Sequence, residues 1–142
     1  MNRDVRYQAA VVTGDCLLLL RCREQDGREF WVLPGGGRED ETEVECVARE
    51  VLEESGLEVS VGALLYEVAA VPPDGTYARW RTYLCRVIGG TPAPGGGEGW
   101  ADLLAVRWLS LTNIAAWEPE LLADEFLGPQ LMRIRSAIVE QK

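Results

Sequence analysis

The sequence predicts a mixed α/β fold of the α+β kind, layered helix, sheet, helix, and three observations carry that expectation. A helix with start and stop signals at both ends occupies residues 42–55. Strand-like runs bounded by Gly, Asp and Pro turns fill most of residues 5–109 around it. From Glu118 onward the apolar spacing turns helical. At 142 residues the chain is expected to form one domain over residues 1–142, large enough to bury a proper core.

Taken in order, Val5 to Thr13 and Cys16 to Cys22 read as a hairpin turned at Thr13-Gly14-Asp15. A turn at Gln25-Asp26-Gly27 leads to a strand over Glu29 to Leu33, which delivers a glycine loop at Gly35-Gly36-Gly37. Thr42 is a good N-cap with Glu45 three residues on, a capping box, and Gly56 is a good stop. At roughly 100° per residue, Val44, Ala48, Val51 and Leu52 share one arc and are expected to face the core. Glu58 to Val71 and Tyr77 to Ile88 read as long strands joined at Pro72-Pro73-Asp74-Gly75. Gly89 to Gly99 reads as a loop and Ala105 to Leu109 as a strand. In the closing helical region Leu121, Leu122, Phe126, Leu131, Ile134 and Ile138 are the expected core contacts, with a division at Gly128-Pro129.

Composition narrows the chemistry. The net charge of −9 argues against nucleic-acid binding, which needs clustered Lys and Arg. No apolar run is long enough for a membrane helix, Cys16 to Leu20 being the longest. Asn2-Arg3-Asp4 leads straight into a strand with no secretory signal pattern, so the expected compartment is the cytoplasm. Cys16, Cys22, Cys46 and Cys85 have no C-x-x-C spacing and are expected to be free thiols. The absence of histidine removes Ser-His and Cys-His catalysis and imidazole metal ligation together. Neither glycine run fits a P-loop or a G-x-G-x-x-G fingerprint.

What remains is carboxylate chemistry. Glu50, Glu53 and Glu54 fall within about 100° of helical arc, nearly opposite the expected core face. The one lysine is Lys142, and the nearest arginine on the helix is Arg49. A solvated acidic face would explain the cluster. However, like charges three and four residues apart destabilise a helix, and a hard divalent cation neutralises them well. Metal binding is the better reading.

Gly35, five residues, Glu41, seven residues, then Arg49-Glu50-Val51-Leu52-Glu53-Glu54-Ser55-Gly56-Leu57 resembles the Nudix box, G-x5-E-x7-R-E-U-x-E-E-x-G-U with U a bulky aliphatic. The flanks are similar too: Trp31-Val32-Leu33-Pro34-Gly35-Gly36 before the box and Val106-Arg107-Trp108 after it. The chain thus resembles the Nudix hydrolases (MutT-like), over roughly residues 5–110. The resemblance implies a helix–sheet–helix sandwich around a central mixed sheet. It implies a pyrophosphohydrolase that attacks a nucleoside diphosphate linked to a group X with water. It implies Mg²⁺ or Mn²⁺ held by Glu50, Glu53 and Glu54 with a backbone contact near Gly35. Among the catalytic residues Glu50, Glu53, Arg49 and Glu41, one glutamate would orient or deprotonate the water while Arg49 pairs with Glu41. A nucleotide is the implied small-molecule partner, and a homodimer is common in the family. The alternative is a catalytically weak Nudix-fold module that binds or senses a nucleotide.

One departure stands out. The usual P-G-G-x-x-E-x-G-E pattern places a glycine just before the box glutamate, whereas here Asp40 precedes Glu41, which comes one residue early. For the fourth carboxylate outside the helix, Glu98 and Asp102 compete, and either also reads as a plain surface charge. Trp31, Tyr77, Trp80 and Trp100 are candidates to stack on a base or sugar, with Trp31 and Trp80 equally suited to the core. Alternation along Tyr77 to Tyr83 puts Arg79 and Arg81 on one face, where a guanidinium would meet a terminal phosphate or simply face water.

Overall fold

The computed structural model describes residues 2–69, 77–95 and 101–139. Seven strands and three helices follow in the order β1 (Asn2–Thr13), β2 (Cys16–Glu24), β3 (Glu29–Val32), β4 (Gly35–Arg38), α1 (Glu43–Ser55), β5 (Leu57–Ala69), β6 (Arg79–Gly90), β7 (Ala101–Ser110), α2 (Pro119–Ala123) and α3 (Leu127–Ile138). A short 3₁₀ turn, Ile114–Ala116, precedes α2.

The sheet is mixed, as expected. β1 runs parallel to β6 and antiparallel to both β4 and β2. β5 closes one edge against β6, while β2 carries β3 and β7 on its two sides. β1 is the hinge of this arrangement, and its alternation serves two layers. Val5, Tyr7, Ala9 and Val11 pack with Cys46, Val47 and Val51 under α1. Ala10 on the other side joins Leu17, Leu19, Leu33, Leu121, Leu131 and Ile134 under α2 and α3. The result is a sheet between helices.

Helix α1 begins as its sequence demands. Thr42 Oγ1 accepts from Glu45 N at 3.1 Å while Glu45 Oε1 accepts from Thr42 N at 2.9 Å, a complete capping box. Gly56 ends it in the left-handed region at φ +76°, where a side chain would be strained.

Four expectations are corrected. Val51 is buried and Ala48 packs on the core as expected, but Val44 and Leu52 are each 49% exposed, and Cys46, Val47, Glu54 and Ser55 complete the buried face of α1. The helix is rolled so that its carboxylates, not only its aliphatics, meet the sheet. Gly35 to Arg38 form strand β4 rather than a loop, since three residues without side chains carry no strand signal of their own. The break in the closing helices lies at Asp124 to Phe126, where Asp124 Oδ1 accepts from the N–H groups of Phe126 and Leu127. Pro129 sits in the first turn of α3, where its missing N–H has no intrahelical partner to lose. Leu122 is exposed, whereas Leu127 joins the core. Strand ends also differ by a few residues: β7 starts at Ala101 and β6 runs through Gly90. The Pro72 to Gly75 turn lies outside the described residues.

The four cysteines are free. Among the described residues no helix is long and apolar enough to cross a membrane.

Core placement has a direct test. Leu131→Ala removes a fully buried side chain and should lower the unfolding free energy by about 2–5 kcal/mol. Leu122→Ala, at an exposed position, should change it by about 0.5 kcal/mol or less. Urea unfolding of both variants checks this; equal losses would refute the assignment of faces.

Candidate active site

Helix α1 lies against β4, and the carboxylates fill the space that glycine leaves. A Cβ at Gly36 would stand 2.6 Å from Glu50 Oε1, and one at Gly35 would stand 2.5 Å from the Tyr7 carbonyl oxygen. At Gly35 the neighbour is backbone and only hydrogen fits, whereas at Gly36 a side chain would displace the Glu50 carboxylate. Glu54, 3% exposed, accepts a hydrogen bond from Gly35 N at 2.9 Å, so its burial is matched by a backbone donor.

Arg49 gathers the remaining acids. It forks onto Glu41, Nε to Oε1 at 2.8 Å and Nη2 to Oε2 at 2.7 Å. Its Nη1 donates to Glu50 Oε1 at 3.0 Å and to Glu53 Oε2 at 3.2 Å. The Arg49 fork, with an N–H from Glu39, holds the Glu41 carboxyl down to about 2. The same bond raises the Arg49 guanidinium further above its ordinary value. The one-residue-early Glu41 therefore reaches its arginine in full bidentate geometry. Cys46 lies beside this cluster, but burial first, and then the charges of Glu41 and Glu50, push its thiol up to about 12. It stays a neutral thiol.

A second feature begins where β3 ends. A cavity of about 910 Å³ is lined by Phe30, Trp31, Leu33, Tyr77, Trp80 and Phe126, with Arg6, Gln8 and Gln130 among its polar walls and Glu24, Asp26, Arg28 and Asp124 as its charged ones. Its polar groups are locked together. Gln8 Nε2 donates to Gln130 Oε1 at 2.7 Å and to Thr82 Oγ1 at 3.0 Å, Tyr66 donates to the same Gln130 oxygen, and Arg6 Nε donates to Gln8 Oε1. Arg6 Nη2 also donates to the Leu33 carbonyl at 3.1 Å, two residues before Gly35. The cavity lining thus reaches Leu33, two residues before the Gly35–Gly36 stretch that lies against Glu54 and Glu50.

The model of the NUDIX domain matches residues 5–127. The chain belongs to the Nudix family. Its fold is similar to that of an ADP-ribose pyrophosphatase from Streptococcus suis, 26% identical over 99% of this chain and 96% of that one, with a TM-score of 0.69. A NUDIX hydrolase from Nitrosomonas europaea matches at 20% identity over 96% and 90% of the two chains, TM-score 0.72. A MutT NUDIX hydrolase from Burkholderia pseudomallei matches at 23% identity over 94% and 99%, TM-score 0.62. The protein is a Nudix hydrolase acting on pyrophosphate bonds.

The structure brings together six of the residues singled out from the sequence: Gly35, Glu41, Arg49, Glu50, Glu53 and Glu54. Trp31 and Trp80 line the cavity. Trp80 is otherwise buried edge-on against Phe126, and the Trp31 ring is already engaged by the guanidiniums of Arg21 and Arg107 at 5.2 and 5.5 Å. Arg79 and Arg81 are not at the cavity: strand alternation turns them away from Trp80. Arg81 is spent on Glu43 and Glu67, and Arg79 on Asp4 and Glu67. Asp102 is well exposed beside Arg23. Glu98 and Trp100 lie outside the described residues.

Sequence reasoning passed over Arg6, Gln8 and Gln130. Their signal was present in β1, where Arg6 and Gln8 alternate with Val5, Tyr7 and Ala9 on a strand buried on both faces. Polar residues on the inward face of a central strand mark a lined cavity.

The Glu41–Arg49 fork predicts a pH dependence. The folded carboxyl lies near 2 and the unfolded one near 4.5, so the pair stabilises the fold fully above about pH 4.5. That contribution disappears as pH falls towards 2. Glu41→Gln should lower the Tm at pH 7, and its gap to the wild type should shrink to about a quarter by pH 2.5. A gap of unchanged size across this range would show that the ion pair is not its source.

Proposed function

We propose that the protein hydrolyses the diphosphate linkage of a nucleoside diphosphate joined to a group X, with Mg²⁺ or Mn²⁺ at the carboxylate cluster. The observation that carries this reading is the continuous Leu33–Gly36 segment, whose Leu33 lines a nucleoside-sized cavity and whose Gly35 and Gly36 lie against Glu54 and Glu50.

The donor set fits such an ion in chemistry. Glu50, Glu53 and Glu54 offer hard anionic oxygens, Gly35 supplies backbone against Glu54, and no imidazole or thiolate competes. Among the described residues no three acidic or thiol side chains already enclose an ion site, and the Arg49 guanidinium lies between Glu50 and Glu53. Glu53 is the ligand with room to turn, its side chain 56% exposed. Held by Glu50, Glu53 and Glu54, a divalent ion would neutralise diphosphate charge and lower the pKa of the attacking water.

The chain's own part follows from its geometry. Glu50 and Glu54, fixed against Gly36 and Gly35, set where a divalent ion would be held to offset the diphosphate charge. Arg49, anchored by Glu41, holds Glu50 and Glu53 in a common orientation. Glu53 accepts the proton as the water oxygen bonds to phosphorus and the P–O–P bond breaks, leaving a nucleoside monophosphate and a phosphorylated X. Phe30, Trp80, Tyr77 and Phe126 offer the flat apolar surface a base requires, above the Gln8–Gln130 floor. ADP-ribose is the first substrate to test, because the Streptococcus suis relative is an ADP-ribose pyrophosphatase.

Release of phosphate and nucleotide from ADP-ribose, nucleotide sugars, nucleoside triphosphates and dinucleoside polyphosphates, each with Mg²⁺, Mn²⁺ or EDTA, tests the reading. Glu53→Gln should cut kcat by about 10²–10⁴ with an unchanged circular dichroism spectrum. Glu54→Gln keeps the oxygen that accepts from Gly35 and should lose turnover through weaker metal binding. Near-normal turnover in both variants would sink the assignment.

A further inference from the structure

The segment leaving β6, Thr91-Pro92-Ala93-Pro94-Gly95, runs back across the C-terminal end of α1. Ala93 N donates to the Ser55 carbonyl at 2.8 Å and Gly95 N to the Glu54 carbonyl at 2.9 Å. These are carbonyls that a helix leaves without intrahelical partners. The two donors alternate with Pro92 and Pro94, which have no N–H to satisfy and hold φ near −65°. Every backbone donor from Ala93 to Gly95 is thus turned onto the helix.

The approach is closer than capping alone requires. A Cβ at Gly95 would lie 1.9 Å from the Glu53 carbonyl oxygen, and a Cβ at Gly56 would lie 2.6 Å from the Thr91 carbonyl oxygen. Backbone meets backbone at the peptide units of Glu53, Glu54, Ser55 and Gly56, with no side chain between them.

The geometry points to a positioning role for this strap: it fixes the peptide units that carry Glu53 and Glu54, with Gly95 as the positioning residue for the hydrolysis. The inference rests on the reading of these glutamates as metal ligands. Real Cβ atoms essentially never come within 3.0 Å of such neighbours, so an added methyl forces the two backbones apart by roughly 1 Å. A functional constellation tolerates only about 0.5 Å of displacement, and ligand distances less. A strap that served stability alone would tolerate that shift at the metal site.

Three measurements test this. In metal-free wild-type protein the amides of Ala93 and Gly95 should exchange at least a hundredfold more slowly than in an unstructured peptide. Gly95→Ala should raise the Mn²⁺ dissociation constant, read by electron paramagnetic resonance, at least tenfold. Its kcat should fall by a larger factor than its KM rises. Pro92→Ala with Pro94→Ala keeps both N–H donors and frees only the backbone; it should raise the Mn²⁺ dissociation constant two- to fivefold. Should Gly95→Ala fail to fold, the double proline variant and the wild-type exchange decide. Fast exchange in the wild type, or wild-type Mn²⁺ affinity in the variants, would overturn the strap while leaving the metal reading intact. A wild type that binds no Mn²⁺ would overturn both.

Discussion

Everything at this site depends on one guanidinium. In a chain of net charge −9 with a single lysine at its end, four glutamates converge on one helix and its approach, and Arg49 stands between three of them. Without it, partly buried like charges would oppose each other in surroundings of low dielectric, where each unpaired ion is strongly unfavourable. Glu54 needs a different solution because it is buried deepest, and the Gly35 amide provides it. That solution requires strand β4 to lie against the helix, where backbone crowding admits only glycine at Gly35 and a side chain at Gly36 would push the Glu50 carboxylate away. The box motif is therefore one electrostatic arrangement: arginine for the outer acids, bare backbone for the inner ones.

Strand β1 turns that arrangement into a site. Its odd residues from Val5 to Val11 support α1, and through α1 the carboxylates. Its even residues Arg6 and Gln8 line the cavity on the other face. A single strand thus registers both halves, and the Leu33–Gly36 segment passes from one to the other. The polar floor of Arg6, Gln8, Thr82, Gln130 and Tyr66 is internally bonded, so it is rigid before any ligand arrives. Burial keeps the Tyr66 hydroxyl protonated, and a protonated hydroxyl is what donates to Gln130.

The order of elements, the helix caps and the box residues were legible because each depends on local chemistry: Thr42 with Glu45, Gly56, and the spacing of four acids around Arg49. The orientation of α1 was not. Apolar spacing favoured Val44 and Leu52, but the helix rolls to bury Glu54 and Cys46, since β4 offers hydrogen-bond donors and space where a sheet normally offers side chains. Strand β4 itself was hidden because Gly35, Gly36 and Gly37 have no pattern to read. From its strand Arg81 read as facing either a terminal phosphate or water, yet Glu43 and Glu67 take it, and long-range charge pairing has no sequence period. The cavity floor joins residues 74 and 122 positions apart, beyond what a single chain's pattern conveys.

The same electrostatics sort the glutamates by mobility. Glu41 is bound through two short parallel bonds to Arg49 and is mostly covered, so it remains when charge is added nearby. Glu53 shares only Nη1 of that guanidinium, at 3.2 Å, from a side chain more than half exposed, where ion pairs contribute little. On the proposed metal reading, an arriving cation would compete with Arg49 for Glu53 far more easily than for Glu41, and would gain a carboxylate without releasing the arginine. On the metal-bound reading Arg49 therefore has two ends with two duties. Its Nε and Nη2 end stays fixed to the loop, and its Nη1 end holds Glu53 only until something more strongly charged takes it.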